Sequence, residues 1–233
     1  YATNWSLHPK EMLTFVFPWA FGFGKATYWG SMPFTDYPNY VGLVTAAFAL
    51  FAACVVKGRV KWFLVVAAVF STVLAFGKYF PVLYGPMFRL FPLFNKFRVP
   101  VMVLIVQQLA LVALAAVGIE SFLDRCREGS LPRWLDPARL KWALTSVVVV
   151  FVLILLMGDA IRESVRESGA VAAKVDGSWR DAAASSFAND LARTVILAAA
   201  ICFVAFLGAS RRLAANTLVL ALGIMAVVDL GTV

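Results

Sequence analysis

Histidine and cysteine are scarce in this sequence, and their scarcity excludes several kinds of site. The one histidine, His8, cannot form a metal site alone, and no Ser/His/Asp set can be assembled around it. Cys54, Cys126 and Cys202 are widely separated, and no pair has the spacing of metal ligands or of a disulfide framework. The "FGFG" of residues 21–24 lacks the strand and helix that flank a phosphate-binding glycine loop. The sequence therefore predicts no metal centre and no soluble nucleotide-binding enzyme.

Charge is also scarce, which excludes an ordinary soluble domain. Charged residues make up 15% of the chain and hydrophobic residues 62%, and the mean hydropathy is +0.83. Soluble domains are roughly 45–50% apolar and about a quarter charged. The composition predicts an integral membrane protein. The net charge of +8 then reflects loop lysines and arginines that set topology, so we expect no nucleic-acid partner.

Six apolar runs predict membrane-spanning helices, because a bilayer core needs roughly 20 apolar residues in a helix and about 17 can suffice. They are residues 40–56, 60–76, 99–119, 140–157, 192–209 and 213–228. An earlier run, Met12–Gly24, is short and contains Pro18, so it predicts either a re-entrant or interfacial segment or an aromatic-rich loop at headgroup level. The predicted fold is an all-α, polytopic transmembrane helical bundle over residues 40–233, with an irregular, aromatic-rich outer layer that includes residues 1–39.

The ends of the sequence indicate an origin inside a longer chain. It begins in a polar, aromatic stretch without methionine and stops at "VVDLGTV". No signal peptide is visible, since the first long apolar run begins near Tyr40. We therefore expect an internal piece of a longer polypeptide.

Lysine and arginine in short loops predict the orientation of the bundle. These residues are concentrated in the alternate loops 57–61, 120–139 and 209–212, which we expect to be cytoplasmic. The N-terminal segment, residues 77–98 and residues 158–191 then face outward. In residues 158–191 acidic side chains outnumber basic ones, and the charge spacing of "DAIRESVRES" predicts a solvated helical extension of the fourth span.

The outer loop of residues 77–98 breaks this charge rule. It has no acidic residue and four cations: Lys78, Arg89, Lys96 and Arg98. Aromatic residues surround the cations, and three prolines exclude one long helix. Pro100 suits the first position of the third span, whose N-terminus carries a partial positive charge. We predict that the four cations bind a lipid phosphate; the alternative is contact with bulk headgroups or with acids elsewhere in a longer protein.

Four further polar residues are weaker candidates. Gln107 and Gln108 lie inside the third span, where interhelical hydrogen bonding accounts for most such residues. Asp229 is either an ionisable functional group at membrane depth or a residue that faces water at the interface. Asp36 either starts a turn ahead of Pro38 or supplies a carboxylate near the cationic loop. Asp36 is the one catalytic candidate that the sequence offers.

Six stretches occur in a fixed order along the chain: "TYWGSMPFTDYPNYVG", "VVKGRVKW", "LAFGKYF", "FNKFRVPVMV", "FANDLARTVI" and "LVLALGIMAVVDL". This series resembles the bacterial YfhO family of polytopic membrane proteins. The resemblance extends from about Ser6 to Asp229. The ordered set is more specific than any single stretch.

The YfhO family is regarded as belonging to the C-type glycosyltransferases, so the resemblance implies an enzyme of the bacterial cytoplasmic membrane and cell envelope. Such enzymes transfer a sugar from a polyprenyl-phosphate carrier to an acceptor on the outer face. The polyprenyl-phosphate sugar would be the donor substrate, and no cofactor is identified. The cations of residues 77–98 would then stabilise the leaving phosphate. The superfamily's catalytic carboxylate typically precedes this region, so we expect this chain alone to be inactive.

Two other functions remain open on the sequence. A non-catalytic structural subunit of a membrane assembly fits the small residues at 198–200 and 214–215, which allow close helix packing. A lipid or polymer transporter fits Gln107, Gln108 and Asp229 if they line one path. A transferase should instead bring cations and an outer carboxylate around one cavity that opens to lipid.

Overall fold

The computed structural model describes residues 3–33, 35–90 and 99–233, and within these ranges the chain is helical or irregular, without β-strands. The all-α prediction is confirmed for this part of the chain. The α-helices described are α1 Gly24–Thr27, α2 Leu43–Val55, α3 Arg59–Ala75, α4 Pro81–Leu90, α5 Leu104–Glu128, α6 Pro137–Leu156, α7 Gly158–Arg166, α8 Gly169–Lys174, α9 Arg180–Ala209 and α10 Ala215–Gly231.

Among the described residues, three helical stretches are long and apolar enough to cross a membrane. They are Pro100–Glu128, Pro137–Leu156 and Gly177–Ala209. The apolar helices α2 and α10 are shorter, with 13 and 17 residues. At 1.5 Å per residue, α2 is about 20 Å long, whereas a hydrocarbon core is about 30 Å thick. Each of the six predicted spans contains a helix. That all six of these helices cross a membrane stays a prediction.

The outside of the bundle is apolar, as expected for contact with lipid. On α6 the exposed side chains include Val149, Leu153 and Leu156, and on α3 they include Phe63 and Val66. Large contiguous apolar surfaces of this kind mark contact with a membrane or a partner. Three long apolar helices with exposed apolar faces indicate a membrane protein.

The core of the bundle forms where α5 packs between α2 and α3. At Gly118 of α5, a Cβ atom would lie 2.2 Å from the carbonyl oxygen of Phe48 in α2, so only glycine allows this close approach. One helical turn further on, Phe122 lies edge-on to Phe48 and Phe51, with ring centroids 5.7 and 5.9 Å apart. Leu218 of α10 is buried in the same core. A second helix pair, α6 and α9, packs side by side.

We call the end of the bundle at which α2, α5 and α9 begin the outer end, after the predicted orientation, and the opposite end the inner end. At the inner end the ammonium of Lys61 donates a hydrogen bond of 3.1 Å to the carbonyl of Ala53, in the last turn of α2. A lysine at this position donates to a carbonyl at the end of the helix, where carbonyls lack partners within the helix. Its positive charge also interacts favourably with the negative end of the helix dipole. A Cβ atom at Gly129, which follows α5, would lie 2.1 Å from Nη2 of Arg211. The loops that follow α5 and α9 therefore meet at this end.

Two helices, α5 and α9, extend furthest beyond the predicted spans. The third predicted span ends at residue 119, but α5 continues to Glu128 and ends at Gly129, whose φ is +72°. The prediction followed hydropathy, whereas the helix continues through charged residues until a glycine in the left-handed conformation stops it. Similarly, α9 begins at Arg180, twelve residues before the fifth predicted span, because the alanine-rich segment after Arg180 favours helix.

Irregular structure covers the outer end. The segment Met12–Gly24 contains parts of two 3-10 helices, Pro9–Phe15 and Pro18–Phe21. Phe17, between them, lies edge-on to Phe187 of α9 with ring centroids 5.0 Å apart. The segment therefore lies against the first half of α9. In the outer segment of residues 158–191, α7 directly follows α6 and has exposed ion pairs three residues apart, as predicted.

Candidate functional site at the outer end

A cavity of about 490 Å³ lies at the outer end. Its lining is mostly apolar, and we call it the polar cavity after the few polar side chains that it contains. One wall consists of residues 32 and 35–39, which precede α2, and the other consists of the start of α5 and the turn before it. Asp36 is on the first wall and Gln108 on the second, so the structure brings two predicted site residues around one space. Asp36 lies in a bend before Pro38 and is exposed. No hydrogen bond or ion pair joins its carboxylate to another described residue.

A second cavity of about 260 Å³ adjoins the first, and we call it the apolar cavity. It lies where the end of α3 and the helix α4 face the start of α5. Its lining is Leu74, Tyr84, Pro100, Met102, Val103, Ile105 and Val106. Met102 and Ile105 line both cavities, and they are 68% and 63% exposed. The boundary between the two cavities is therefore open at the side of the bundle.

Two of the four predicted phosphate-binding cations, Lys78 and Arg89, lie near elements that line the cavities, although neither side chain is part of a lining. Lys78 follows α3 and is exposed, and its backbone N–H donates 3.1 Å to Oγ of Ser6, next to the cavity residue Trp5. Arg89 is exposed in the last turn of α4, the helix that brings Tyr84 to the apolar cavity. Neither cation forms an ion pair with a described residue.

The other two cations, Lys96 and Arg98, lie outside the described residues. The chain reaches the polar cavity again at Val99, which is joined to Arg98 by one peptide bond.

The two neighbouring glutamines of α5 have different surroundings. Gln108 lines the polar cavity, whereas Gln107 is buried and only 2% exposed. The side-chain oxygen of Gln107 has no hydrogen-bond partner among the described residues. Interhelical hydrogen bonding was the expected role of both residues, and no such bond is found in the described part of the chain.

Asp229 is completely buried and belongs to a network of polar side chains at the outer end. Its carboxylate accepts hydrogen bonds from the Tyr40 hydroxyl and, at 3.2 Å, from the Val44 N–H. The Tyr40 oxygen accepts from the Leu43 N–H at 3.2 Å. Together the two side chains cap the first turn of α2, whose own N-cap residue, Gly42, has no side chain to do so. Asp229 thus contacts protein groups rather than water.

Arg193 and Asp190 complete this network, and sequence reasoning missed both. Arg193 Nε donates to Asp190 at 2.8 Å, while its Nη1 lies 3.6 Å from Asp229 Oδ1 and donates 2.9 Å to the Asp229 carbonyl. Asp190 also accepts from the Trp19 N–H at 2.8 Å. The network therefore ties the N-terminal segment, α2, α9 and α10 together. An arginine inside the predicted span 192–209 was the signal that could have identified it.

Glu11 is a second buried acid that the sequence analysis passed over. It is 2% exposed and accepts hydrogen bonds from the Tyr28 hydroxyl, 3.2 Å from both of its oxygens, and from the Ser31 N–H. Burial raises the pKa of the Glu11 carboxyl, although the hydrogen bonds from Ser31 and Tyr28 lower it in part. Its signal in the sequence is a lone acid directly before the aromatic, apolar segment of residues 12–24.

Among the described residues, no group of three or more His, Cys, Asp or Glu side chains could hold a metal ion. The described part of the outer end thus presents the Asp36 carboxylate, the Gln108 amide, the exposed cations Lys78 and Arg89, and the apolar cavity.

Comparison of the chain with protein-family models, with curated proteins and with solved structures finds no match.

Proposed function

We propose that this chain forms the lipid-phosphate-binding part of a membrane glycosyltransferase. The enzyme would transfer a sugar from a polyprenyl-phosphate carrier to an acceptor on the outer face of the bacterial cytoplasmic membrane. One observation carries the proposal: the polar cavity with Asp36 and Gln108 adjoins the apolar cavity across Met102 and Ile105. A cavity with a few polar side chains beside an almost wholly apolar recess, open at the side of the bundle, fits a molecule with a polar head and an apolar chain.

The apolar cavity suits the first part of the carrier's chain. Each CH₂ group transferred from water to apolar surroundings contributes about 0.8 kcal/mol. At about 260 Å³, the cavity is smaller than most ligand pockets, which measure about 300–1,000 Å³. It would therefore hold the isoprene units next to the phosphate. The rest of the chain would lie along the exposed apolar side chains of α5, such as Leu109 and Val112.

The charges at the outer end suit the head of the donor. Lys78 and Arg89 are exposed cations without a carboxylate partner in the described part of the chain. Arginine binds phosphate with two parallel hydrogen bonds and lysine as a point charge. Lys96 and Arg98, predicted from the sequence, would add to this positive field. The phosphate is the leaving group, so these cations would stabilise charge that develops in the transition state.

Asp36 lies on the wall of the polar cavity away from α5 and is the candidate to orient or deprotonate an acceptor hydroxyl. Its negative charge would repel a phosphate and so favour the sugar or the acceptor on its side. Asp36 stays a weak candidate for the base, since the resemblance implies a carboxylate earlier in a longer chain.

The transporter alternative needs intramembrane polar residues that share one path. Gln107 is buried, Gln108 lines the polar cavity and Asp229 is buried in an ion pair. Of these three described residues, only Gln108 lines the polar cavity, and none lines the apolar cavity. The structural-subunit alternative needs no ligand, and a binding measurement separates it from the transferase.

The proposal is tested by titrating a polyprenyl phosphate against the protein in lipid nanodiscs. Lys78→Gln and Arg89→Gln should each weaken binding by roughly 1.5–3 kcal/mol, because each removes a charge-assisted contact with the phosphate. Arg59→Gln is the matched control, since Arg59 is an exposed cation at the inner end, where α3 begins. Inorganic phosphate, which has no apolar chain, should bind much more weakly than the polyprenyl phosphate.

If neither outer variant changes the affinity, or if Arg59→Gln has the same effect, the cations contact bulk headgroups. The structural-subunit function would then be the better proposal.

A further inference from the structure

One wall of the polar cavity is fixed by contacts that lie outside the cavity. Residues 28–32, which we call the wall segment, lead into the wall that carries Asp36. Met32, at the end of the wall segment, is 3% exposed and lines the polar cavity itself. The position of the wall segment therefore affects the shape of the cavity where Met32 lines it.

Glu11 accepts hydrogen bonds from donor groups of the wall segment. Its carboxylate accepts hydrogen bonds from the Tyr28 hydroxyl and the Ser31 N–H. The Tyr28 oxygen in turn accepts from the Met32 N–H at 2.9 Å. The Glu11 carboxylate thus positions the Tyr28 hydroxyl and the Ser31 N–H directly. It positions the Met32 N–H indirectly, through the Tyr28 hydroxyl.

Lys174 donates hydrogen bonds to carbonyl groups of the same segment. This lysine is the last residue of α8, in the outer segment of residues 158–191. Its ammonium donates to the carbonyls of Gly30 and, at 3.4 Å, of Met32. It also lies 5.7 Å from the centre of the Tyr28 ring, close enough for a cation–π interaction.

Apolar packing supports the same placement. Val171 and Val175, on either side of Lys174, are buried together with Ala183, and Trp29 of the wall segment packs against them. The wall segment is therefore held between the N-terminal segment and the outer segment of residues 158–191.

We infer that Glu11 and Lys174 are positioning residues that hold the wall segment and, through Met32, the shape of the polar cavity. The contacts that hold the wall segment are all between residues of the protein. Only the expected effect on lipid binding rests on the proposed function.

Hydrogen exchange of the wall-segment amides tests the inference directly. Glu11→Leu and Lys174→Met should each increase exchange at Ser31 and Met32 at least tenfold, while the amides of α5 stay protected. Glu11→Gln should restore protection, because its side-chain oxygen can still accept from Ser31. The matched controls are Glu163→Leu and Lys10→Met, two exposed residues outside the wall-segment contacts. They should leave exchange unchanged.

Unchanged exchange in Glu11→Leu and Lys174→Met would overturn the inference. So would a loss of protection throughout the molecule, since the two residues would then stabilise the fold as a whole. Failure of Glu11→Gln to restore protection would also contradict it.

Polyprenyl-phosphate binding is measured on the same variants. Glu11→Leu should weaken it and Glu11→Gln should not. If the wild-type protein binds no polyprenyl phosphate, the proposed function fails, while the exchange result still decides whether Glu11 and Lys174 hold the wall segment.

Discussion

The carboxylate of Asp229 in α10 forms an ion pair with the guanidinium of Arg193 in α9, with 3.6 Å between Oδ1 and Nη1. The Asp229 side chain is completely buried, and that of Arg193 is 17% exposed. Removing one partner of a buried pair leaves the other charge without compensation. The same carboxylate caps α2, so this contact joins three helices at the outer end.

Asp229→Asn should lower the free energy of unfolding by about 3 kcal/mol, the lower part of the range for broken buried pairs, because Arg193 keeps Asp190 as a partner. Unfolding of the protein in detergent micelles measures the loss. The control is Asp159→Asn, which breaks the exposed pair with Arg162 and should leave stability unchanged. Equal losses in both variants would contradict a structural role for the buried pair.

Gly118→Ala should destabilise the bundle by about 1–3 kcal/mol, the usual cost of overpacking. The added Cβ would lie 2.2 Å from a backbone oxygen of α2, which cannot move aside as a flexible side chain would. Gly223→Ala is the matched control in α10, because a Cβ there meets no atom within 4 Å. That change should stabilise the helix by roughly 0.5–1 kcal/mol. Thermal unfolding of both variants should therefore shift in opposite directions.

The stability of the protein should depend on pH through Glu11. Burial raises the pKa of this carboxyl, so the folded state binds the proton more tightly than the unfolded state. Its contribution to stability is complete below the unfolded pKa of about 4.3 and is lost as the pH rises through the folded pKa. Glu11→Gln cannot ionise, so its stability relative to wild type should increase as the pH rises and then level off.

Unfolding measured from pH 4 to pH 8 in both proteins checks this pH dependence. The same measurement on Glu163→Gln, a change at an exposed acid in α7, is the control. A constant difference between Glu11→Gln and wild type would show that Glu11 does not titrate with a raised pKa.

The buried side-chain oxygen of Gln107 offers a test of an unsatisfied polar group. A buried acceptor without a partner costs about 1–3 kcal/mol. Gln107→Leu removes that acceptor at similar volume and should raise the free energy of unfolding by about 1 kcal/mol. Gln108→Leu, one residue further along α5, should leave stability nearly unchanged and weaken polyprenyl-phosphate binding, because Gln108 lines the polar cavity. A loss of stability in Gln107→Leu would indicate an unseen partner for its amide.

Composition and continuous apolar runs were enough to predict the membrane class and the all-α fold. The sequence also placed a helix in every predicted span and the helical turn at Pro100, since apolar runs and proline act locally. The predicted span boundaries were less accurate where a helix begins or ends away from the edge of its apolar run. α5 ends at a glycine cap and α9 begins in an alanine-rich segment, and neither boundary coincides with the edge of an apolar run.

Which side chains meet depends on how the helices pack, and the amino-acid pattern does not show this. Tyr40 and Asp229 are 189 residues apart in the chain, and Glu11 and Lys174 hold one segment from distant parts of it. Helices that contact both core and lipid are apolar on every face, so hydrophobic periodicity does not show which face meets which neighbour. For the same reason the sequence could propose Asp36 and Gln108 separately, whereas their position around one cavity follows from how α5 packs beside the segment that precedes α2.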